Sequence, residues 1–418
     1  MRWLGMITAA LAALTSGAAP AREEIHYDVR ASIGADGALD ADVRITLPAE
    51  IAGKGKAFLL SRRFSVAAVD AGKGSTVTVT PVESPVEDIN RYDFKFATAG
   101  ERRLHFRYRG LLNTKYDSGV TAVRPDTIEL FLDHMWIPFG ADIQTMFVAD
   151  ARINGLAKNL VVVGQGKVTR TATGVRIRRS MLDVDLPMVA MTGLDRAAAP
   201  GVEYYARDLN TPVSRLYVKH GAAASAFFRE WFGPLPDPDP IRVVAVSRER
   251  RLGYTRTAYT VVNDTGRATA EDDGGLGTGR HIAHEIAHAW WRSASPISDD
   301  FWLVESAAEY CAWRYVEFAF GADKAMKLQV AVRPAAMTAG PVMGHGRPSR
   351  VQLYQKGPLL LVALEKRIGR PRMDALMVEV SRKQPNTGPQ FFSALRAMAG
   401  DAEAAWFEAA LLNDKLES

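Results

Sequence analysis

The chain has 418 residues, 47% hydrophobic and 24% charged, with a net charge of +5. That length can hold two or three domains with separate cores, and the composition is that of a globular protein rather than a disordered or fibrous one. Lysines and arginines are scattered, with no basic stripe carrying interleaved aromatics, which argues against a nucleic-acid-binding surface. The single cysteine, Cys311, excludes an intramolecular disulfide.

At the N terminus, Arg2 precedes a short Ala-rich apolar run through Leu14, and small residues lead to Ala19-Pro20-Ala21. This reads as a signal peptide over residues 1–21 with an A-x-A-like cleavage site. The expectation is export to a bacterial periplasm or the cell exterior, without stable membrane insertion once the signal is cleaved; a short anchor is the alternative reading.

Residues 22–200 are expected to form a β-rich domain, a sandwich or saddle. Alternating runs recur at Ile25–Ile33, Ala41–Leu47, Ser75–Val82, Tyr92–Phe96, Leu104–Tyr108, Thr127–Leu132, Thr145–Ile153, Leu160–Val163, Lys167–Thr173 and Val175–Arg178. Polar and Gly-containing turns separate them, with Asp36-Gly37 and Asn154-Gly155 as the clearest signals.

The pattern changes in 201–418. Val213–His220 reads as one more strand and Ala222–Phe232 as a helix, followed by strands at Ile241–Val246 and Arg256–Asn263. A Gly-rich stretch, Gly274 to Gly279, lacks the Lys-Ser/Thr ending of a phosphate loop and reads as a hinge or linker before a helix over about 279–292. A second helix is predicted over about 301–320, with Val304, Ala308, Cys311, Tyr315 and Ala319 on one apolar stripe. Cys311 on that stripe reads as a small core residue. The remainder is expected to be mostly helical.

The chemistry concentrates in His284-Glu285-Ile286-Ala287-His288. Residues four apart share a helix face, so two neutral imidazoles can grip one Zn²⁺, with Glu285 beside a metal-bound water. Glu305 on the next helix is the expected third ligand, giving a two-His, one-Glu site with one position open. Glu285 is the expected general base, passing the proton on to the leaving amine. Glu309, one turn after Glu305, is expected to orient a ligand histidine, with a zinc ligand or a solvated carboxylate as alternatives. His281 lies near the same face and reads as a structural or surface histidine or a pocket residue. Trp290 and Trp291 are expected to pack the motif helix.

With these residues in place, the chain resembles the aminopeptidase N-like gluzincin zinc metallopeptidases. The likeness is carried by His284 to Trp291, by Phe301-Trp302-Leu303-Val304-Glu305-Ser306-Ala307-Ala308-Glu309-Tyr310, by Tyr354-Gln355-Lys356-Gly357, and by Met135-Trp136-Ile137-Pro138. It implies an α+β multi-domain fold: an N-terminal β-saddle followed by a thermolysin-like, mostly helical zinc peptidase domain. It makes His284, His288 and Glu305 the ligands of one Zn²⁺ per chain. It assigns Tyr354, otherwise only an interfacial tyrosine, to stabilising the oxyanion.

The sequence also departs from the family pattern. The connection between His288 and Glu305 is shorter, and Val304-Glu305-Ser306 replaces N-E-G, which is expected to alter the pocket wall. The G-A-M-E-N segment that holds a substrate's amino group is replaced by Gly253-Tyr254-Thr255-Arg256-Thr257-Ala258-Tyr259. That segment can still pair with a peptide as an edge strand, but it has no carboxylate, and Arg256 is expected to repel an ammonium group. The leading expectation is a zinc peptidase acting on peptide or protein substrates, aminopeptidase-like by resemblance. Endopeptidase action on the same site, a non-catalytic peptide-binding module and a hydrolase of non-peptide substrates are the alternatives.

Overall fold

The computed structural model describes residues 24–53, 55–83, 88–98, 100–113, 120–235, 240–247, 253–264 and 274–415. The signal segment expected at 1–21 lies outside them. Strict alternation builds the N-terminal half. In Ile25–Ile33 every second residue is buried, and the antiparallel partner Ala38–Leu47 buries Leu39, Ala41, Val43, Ile45 and Leu47 on the same face. A period of two puts one full face of each strand into the core. These strands belong to a seven-stranded sheet that also holds Ser65–Asp70, Arg102–Leu111, Phe147–Asn154, Lys167–Arg170 and Gly174–Asp183. Two four-stranded sheets share its core, where Phe58, Phe94 and Phe106 meet edge to face. At the Asn154-Gly155 turn the backbone takes φ 81°, and a Cβ would lie 2.3 Å from the Ile33 carbonyl oxygen, so only glycine fits there.

Met135-Trp136-Ile137-Pro138 is part of this core, with Trp136 and Ile137 fully buried. Tyr108 donates to the Trp136 carbonyl at 2.7 Å, and Tyr27 to that of Pro138 at 2.9 Å. This anchorage holds the preceding residues, Phe131 to Asp133, against the cleft described below.

The second half opens with a mixed five-stranded sheet, in the order Asp195–Ala199, Val202–Ala206, Ile241–Val246, Tyr259–Asn263, Tyr254–Arg256. The long helix Pro212–Phe232, the motif helix Leu276–Ala287 and the glutamate-bearing helix Trp302–Phe320 pack into one core with the later helices. Those are Ala322–Thr338, Gly357–Ile368, Arg370–Lys383, Gly388–Ala399 and Asp401–Leu412, in keeping with the mostly helical C-terminal expectation. Among the described residues, no helix is long and apolar enough to cross a membrane.

Several local expectations are corrected. Val213–His220 is not a strand but the first half of Pro212–Phe232: Thr211 caps the helix by accepting from the Ser214 amide, and Pro212 presets its first turn. Arg256–Asn263 is a hairpin, turning at Ala258 with φ 52°. The Gly-rich stretch is not a linker throughout, because Gly275 is the N-cap and the helix starts at Leu276. Trp302–Phe320 has no single apolar stripe. It is buried almost all round from Trp302 to Trp313, which places the carboxylates of Glu305 and Glu309 inside the protein. Cys311 is buried in that core, and its thiol is pushed far up by burial.

Candidate metal centre and cleft

The motif helix ends at Ala287, but His288 at its C-cap keeps helical angles (φ −60°, ψ −16°), so the i, i+4 relation to His284 is intact. The two Nε2 atoms are 3.2 Å apart. Glu305 Oε2, brought in by the neighbouring helix Trp302–Phe320, lies 3.3 Å from His284 Nε2 and 3.7 Å from His288 Nε2. A tetrahedral centre with bonds of about 2.1 Å separates its ligand atoms by about 3.4 Å. The three donors therefore stand at the edges such a centre requires. Glu305 Oε2 is also buried without a well-aligned hydrogen bond. His284, His288 and Glu305 are the one group of metal-type donors that converges among the described residues.

The surroundings of the triad set its ring orientations. His288 Nδ1 faces the Trp291 carbonyl at 3.1 Å, and His284 Nδ1 lies 3.0 Å from Glu309 Oε2. Glu309 is itself held by Arg280 and by Trp313 Nε1 at 2.8 Å. It thus touches a triad histidine rather than joining the donor group, the first of the roles read for it. Burial works against the charge of His284, but hydrogen bonds it donates to Glu305 and Glu309 outweigh it and carry the imidazole up to about 10. His288 is lowered, chiefly by burial. Glu309, despite burial, is held down to about 2 by Arg280 and His284.

Glu285 lies outside the triad. Thr255 on the edge strand donates to its Oε2, and His281 Nε2 is 3.2 Å from its Oε1. His281 is in turn 3.1 Å from the Tyr217 hydroxyl, so it positions Glu285 from behind and does not line the cleft. Although burial opposes it, His281 and the two triad histidines keep the Glu285 carboxyl well below the usual range, and so ionised.

Tyr354 reaches the same place from a π-helical turn, Gln352–Lys356, with its ring 5.4 Å from that of His284. Burial and the adjacent Glu305 carboxylate push its phenol far up, so it stays protonated and keeps a hydrogen to donate. The turn is clamped to the glutamate-bearing helix. Ser306 donates to the Leu353 carbonyl at 2.8 Å, and a Cβ on Gly357 would lie 2.1 Å from Ser306 Oγ. Of the replaced N-E-G residues, Val304 therefore forms pocket wall while Ser306 is a buried clamp. Gly357→Ala should destabilise the protein by about 1–3 kcal/mol through overpacking, and Ser306→Gly in the same chain should recover most of it. Denaturant midpoints of the single and double variants check this. The Lys356 ammonium, wholly buried, completes the clamp: the carbonyl oxygens of Ala339, Gly340, Asn413 and Asp414 lie 2.7 to 3.1 Å from it and share its three N–H donors.

These groups share a cleft of about 390 Å³ between the edge strand Tyr254–Arg256, the end of the motif helix and residues 131–133 of the β-rich half. Arg256 lines it, but its charge is compensated: Nε donates to Asp185 at 2.8 Å, and that carboxylate is completely buried. The expected repulsion of an ammonium group is weakened accordingly. Tyr254 stacks on Phe131 with ring centroids 4.3 Å apart, joining the edge strand to the other wall. The shorter connection after His288 is tied down by Ser293 donating to the Pro385 carbonyl at 2.6 Å and by Asp300 accepting from the Gly388 amide at 2.8 Å. Thr255, Asp185 and Arg292 went unread in the sequence, because each acquires its role from a partner at least 30 residues away.

A β-rich half followed by a helical half is the fold of solved two-domain M1 zinc metallopeptidases. Among solved structures, a two-domain M1 zinc metallopeptidase variant bound to L-arginine superimposes with a TM-score of 0.73 at 15% identity, covering 94% of this chain and 96% of that one. The M1 zinc metallopeptidase from Deinococcus radiodurans gives 0.70 at 16%, covering 94% and 95%. Native yeast LTA4 hydrolase gives 0.73 at 16%, covering 94% of this chain and 68% of the other. No protein-family sequence model matches the chain, and no curated protein matches it in sequence. The gluzincin resemblance read from the motifs is thus borne out in the fold.

Proposed function

We propose that this protein is a zinc metallopeptidase that hydrolyses peptide bonds in the cleft at His284, His288 and Glu305. The observation that carries the reading is the convergence of that donor group, an ionised Glu285 and the Tyr354 ring in one cleft. The fold supports it, as does a D. radiodurans enzyme of the same fold, whose structure was solved with a Tyr-Ser-Ala substrate.

When bound, Zn²⁺ supplies Lewis-acid polarisation of the scissile carbonyl and acidifies a water. His284, His288 and Glu305 hold it, with Glu309 fixing the orientation of the His284 ring. Glu285 accepts a proton from the attacking water at a carboxylate oxygen and delivers it to the leaving amine. Thr255 and His281 keep that carboxylate in place throughout. The Tyr354 hydroxyl donates to the carbonyl oxygen as negative charge develops on it. Tyr354→Phe should lower kcat by about 10²–10³-fold with little change in KM, as expected for a donor engaged mainly in the transition state. Steady-state kinetics on one cleaved peptide decide it.

Removal of N-terminal residues is the leading form of the activity, by likeness to the aminopeptidase-like family. Internal cleavage is the second reading, favoured by an edge strand that faces the cleft without a carboxylate. Mass spectrometry of a peptide library, half of it N-terminally acetylated, tests both. Loss of single residues from free-amine peptides alone identifies an aminopeptidase, and internal cuts in both halves identify an endopeptidase. An intact library after incubation with zinc-loaded protein overturns the peptidase reading.

A further inference from the structure

One charge in the cleft is not used by the hydrolysis proposed above. Arg292 follows His288 by four residues, just past the motif helix, and its half-buried side chain lines the cleft beside Trp291 and Ser293. Nη1 donates to Thr257 Oγ1 at 2.8 Å. Among the described residues that is its one hydrogen bond, and no carboxylate forms an ion pair with it. A guanidinium carries five N–H donors in a flat fork suited to a carboxylate, so most of this one's capacity remains open.

The neighbouring charges are already committed. Asp183 acts on Arg292 through space, but its oxygens accept from Gln165 Nε2, the Thr257 amide and the Val184 amide, each at 2.7 Å. Arg256 is held by Asp185 and the Thr255 carbonyl. Arg292 is therefore the cleft arginine without a carboxylate partner. Burying a guanidinium without a counter-charge is unfavourable, and an anionic ligand would offset that cost.

Its position gives the ligand a place on the substrate. Arg292 rests on Thr257, and Thr255, two residues back, holds Glu285. Thr257 lies just past the strand, so the two threonines are at most about 7 Å apart along the chain, which is also the reach of two residues of an extended peptide. We propose that Arg292 is a specificity residue that holds a substrate carboxylate within two residues of the scissile bond. The cleft then selects peptides bearing an acidic side chain or a free C-terminal carboxylate at that point. This rests on the peptide-hydrolysis reading for the cut itself, though not for the binding of the carboxylate.

The test uses zinc-loaded full-length wild type, Arg292→Gln and Arg292→Lys on a library in which each peptide exists in a Glu and a Gln version, with free or amidated C terminus. Wild type should favour the carboxylate version by about ten- to a hundredfold in kcat/KM, the range of a charge-assisted contact. Arg292→Gln should bring that ratio close to one, and Arg292→Lys should restore part of it. A Glu-over-Gln ratio that falls identifies a side-chain carboxylate; a free-over-amidated ratio that falls identifies the C terminus. If peptides are cut with no carboxylate preference, or if Arg292→Gln keeps the preference, this assignment is overturned while hydrolysis stands. If nothing is cut, calorimetric binding of the same peptides decides: tighter binding of the carboxylate forms, lost in Arg292→Gln, upholds the assignment without the hydrolysis. Equal binding or none overturns it.

Discussion

Glu285→Gln is expected to reduce peptide turnover by about 10²–10⁴-fold, the span of general acid–base catalysis, while one zinc per chain stays bound. The reasons are geometric and electrostatic. Glu285 follows the donor His284 directly, lines the cleft, and belongs neither to the His284–His288–Glu305 group nor to the Glu309–Arg280 pair. Its low proton affinity comes from His281 and from the triad histidines. Glutamine keeps the size and one acceptor, so Thr255 can still donate to it, but the amide cannot accept and return a proton. Its N–H₂ would also face His281, where the carboxylate now sits 3.2 Å away, so a small loss of stability should accompany the loss of rate. Metal analysis alongside kinetics separates the outcomes. Wild-type turnover in the variant would refute the assignment of the base, and loss of zinc together with turnover would make Glu285 a support of the metal instead.

Glu305→Gln should weaken zinc binding by more than Glu309→Gln does. Removing the partner of a ligand histidine typically costs about 10–100-fold in metal affinity. Glu309 is such a partner, 3.0 Å from His284 Nδ1, whereas Glu305 places an oxygen directly at the donor triangle. Its replacement removes both a ligand atom and the negative charge that balances a divalent ion. Competition with a chromophoric chelator gives both affinities. Equal losses would mean that Glu305 is no closer to the ion than Glu309 is, and the three-donor assignment would fall.

The two kinds of site information differ in how far along the chain they reach. His284, Glu285 and His288 were legible because their relation is set within a single turn of helix, where spacing alone dictates the shared face. The strand Ile25–Ile33 was legible for a similar reason, since alternation is a local record of one buried face. Lys56–Ser61, Ser65–Asp70 and Met188–Thr192 were missed: the first and last run hydrophobic without alternation because both faces are covered, and the second alternates only weakly. Val213–His220 was misread because β-branched and aromatic residues there outweighed the Thr211 cap and Pro212, which in the folded chain start the helix.

Residue types, motif spacing and the two-part division into alternating and helical patterns are properties of consecutive residues, so the candidate donors and base could be named from them without coordinates. Which side chains meet across the cleft depends instead on contacts between distant segments. Arg256 is neutralised by Asp185 across 71 positions, Thr255 steadies Glu285 across 30, and Ser306 fixes the Tyr354 turn across 47. Arg292 leans on Thr257 across 35, with donors left over for a substrate. Such pairings arise when packing of the two halves buries charges and selects the partners that keep them hydrogen-bonded, a condition that operates only in the folded chain.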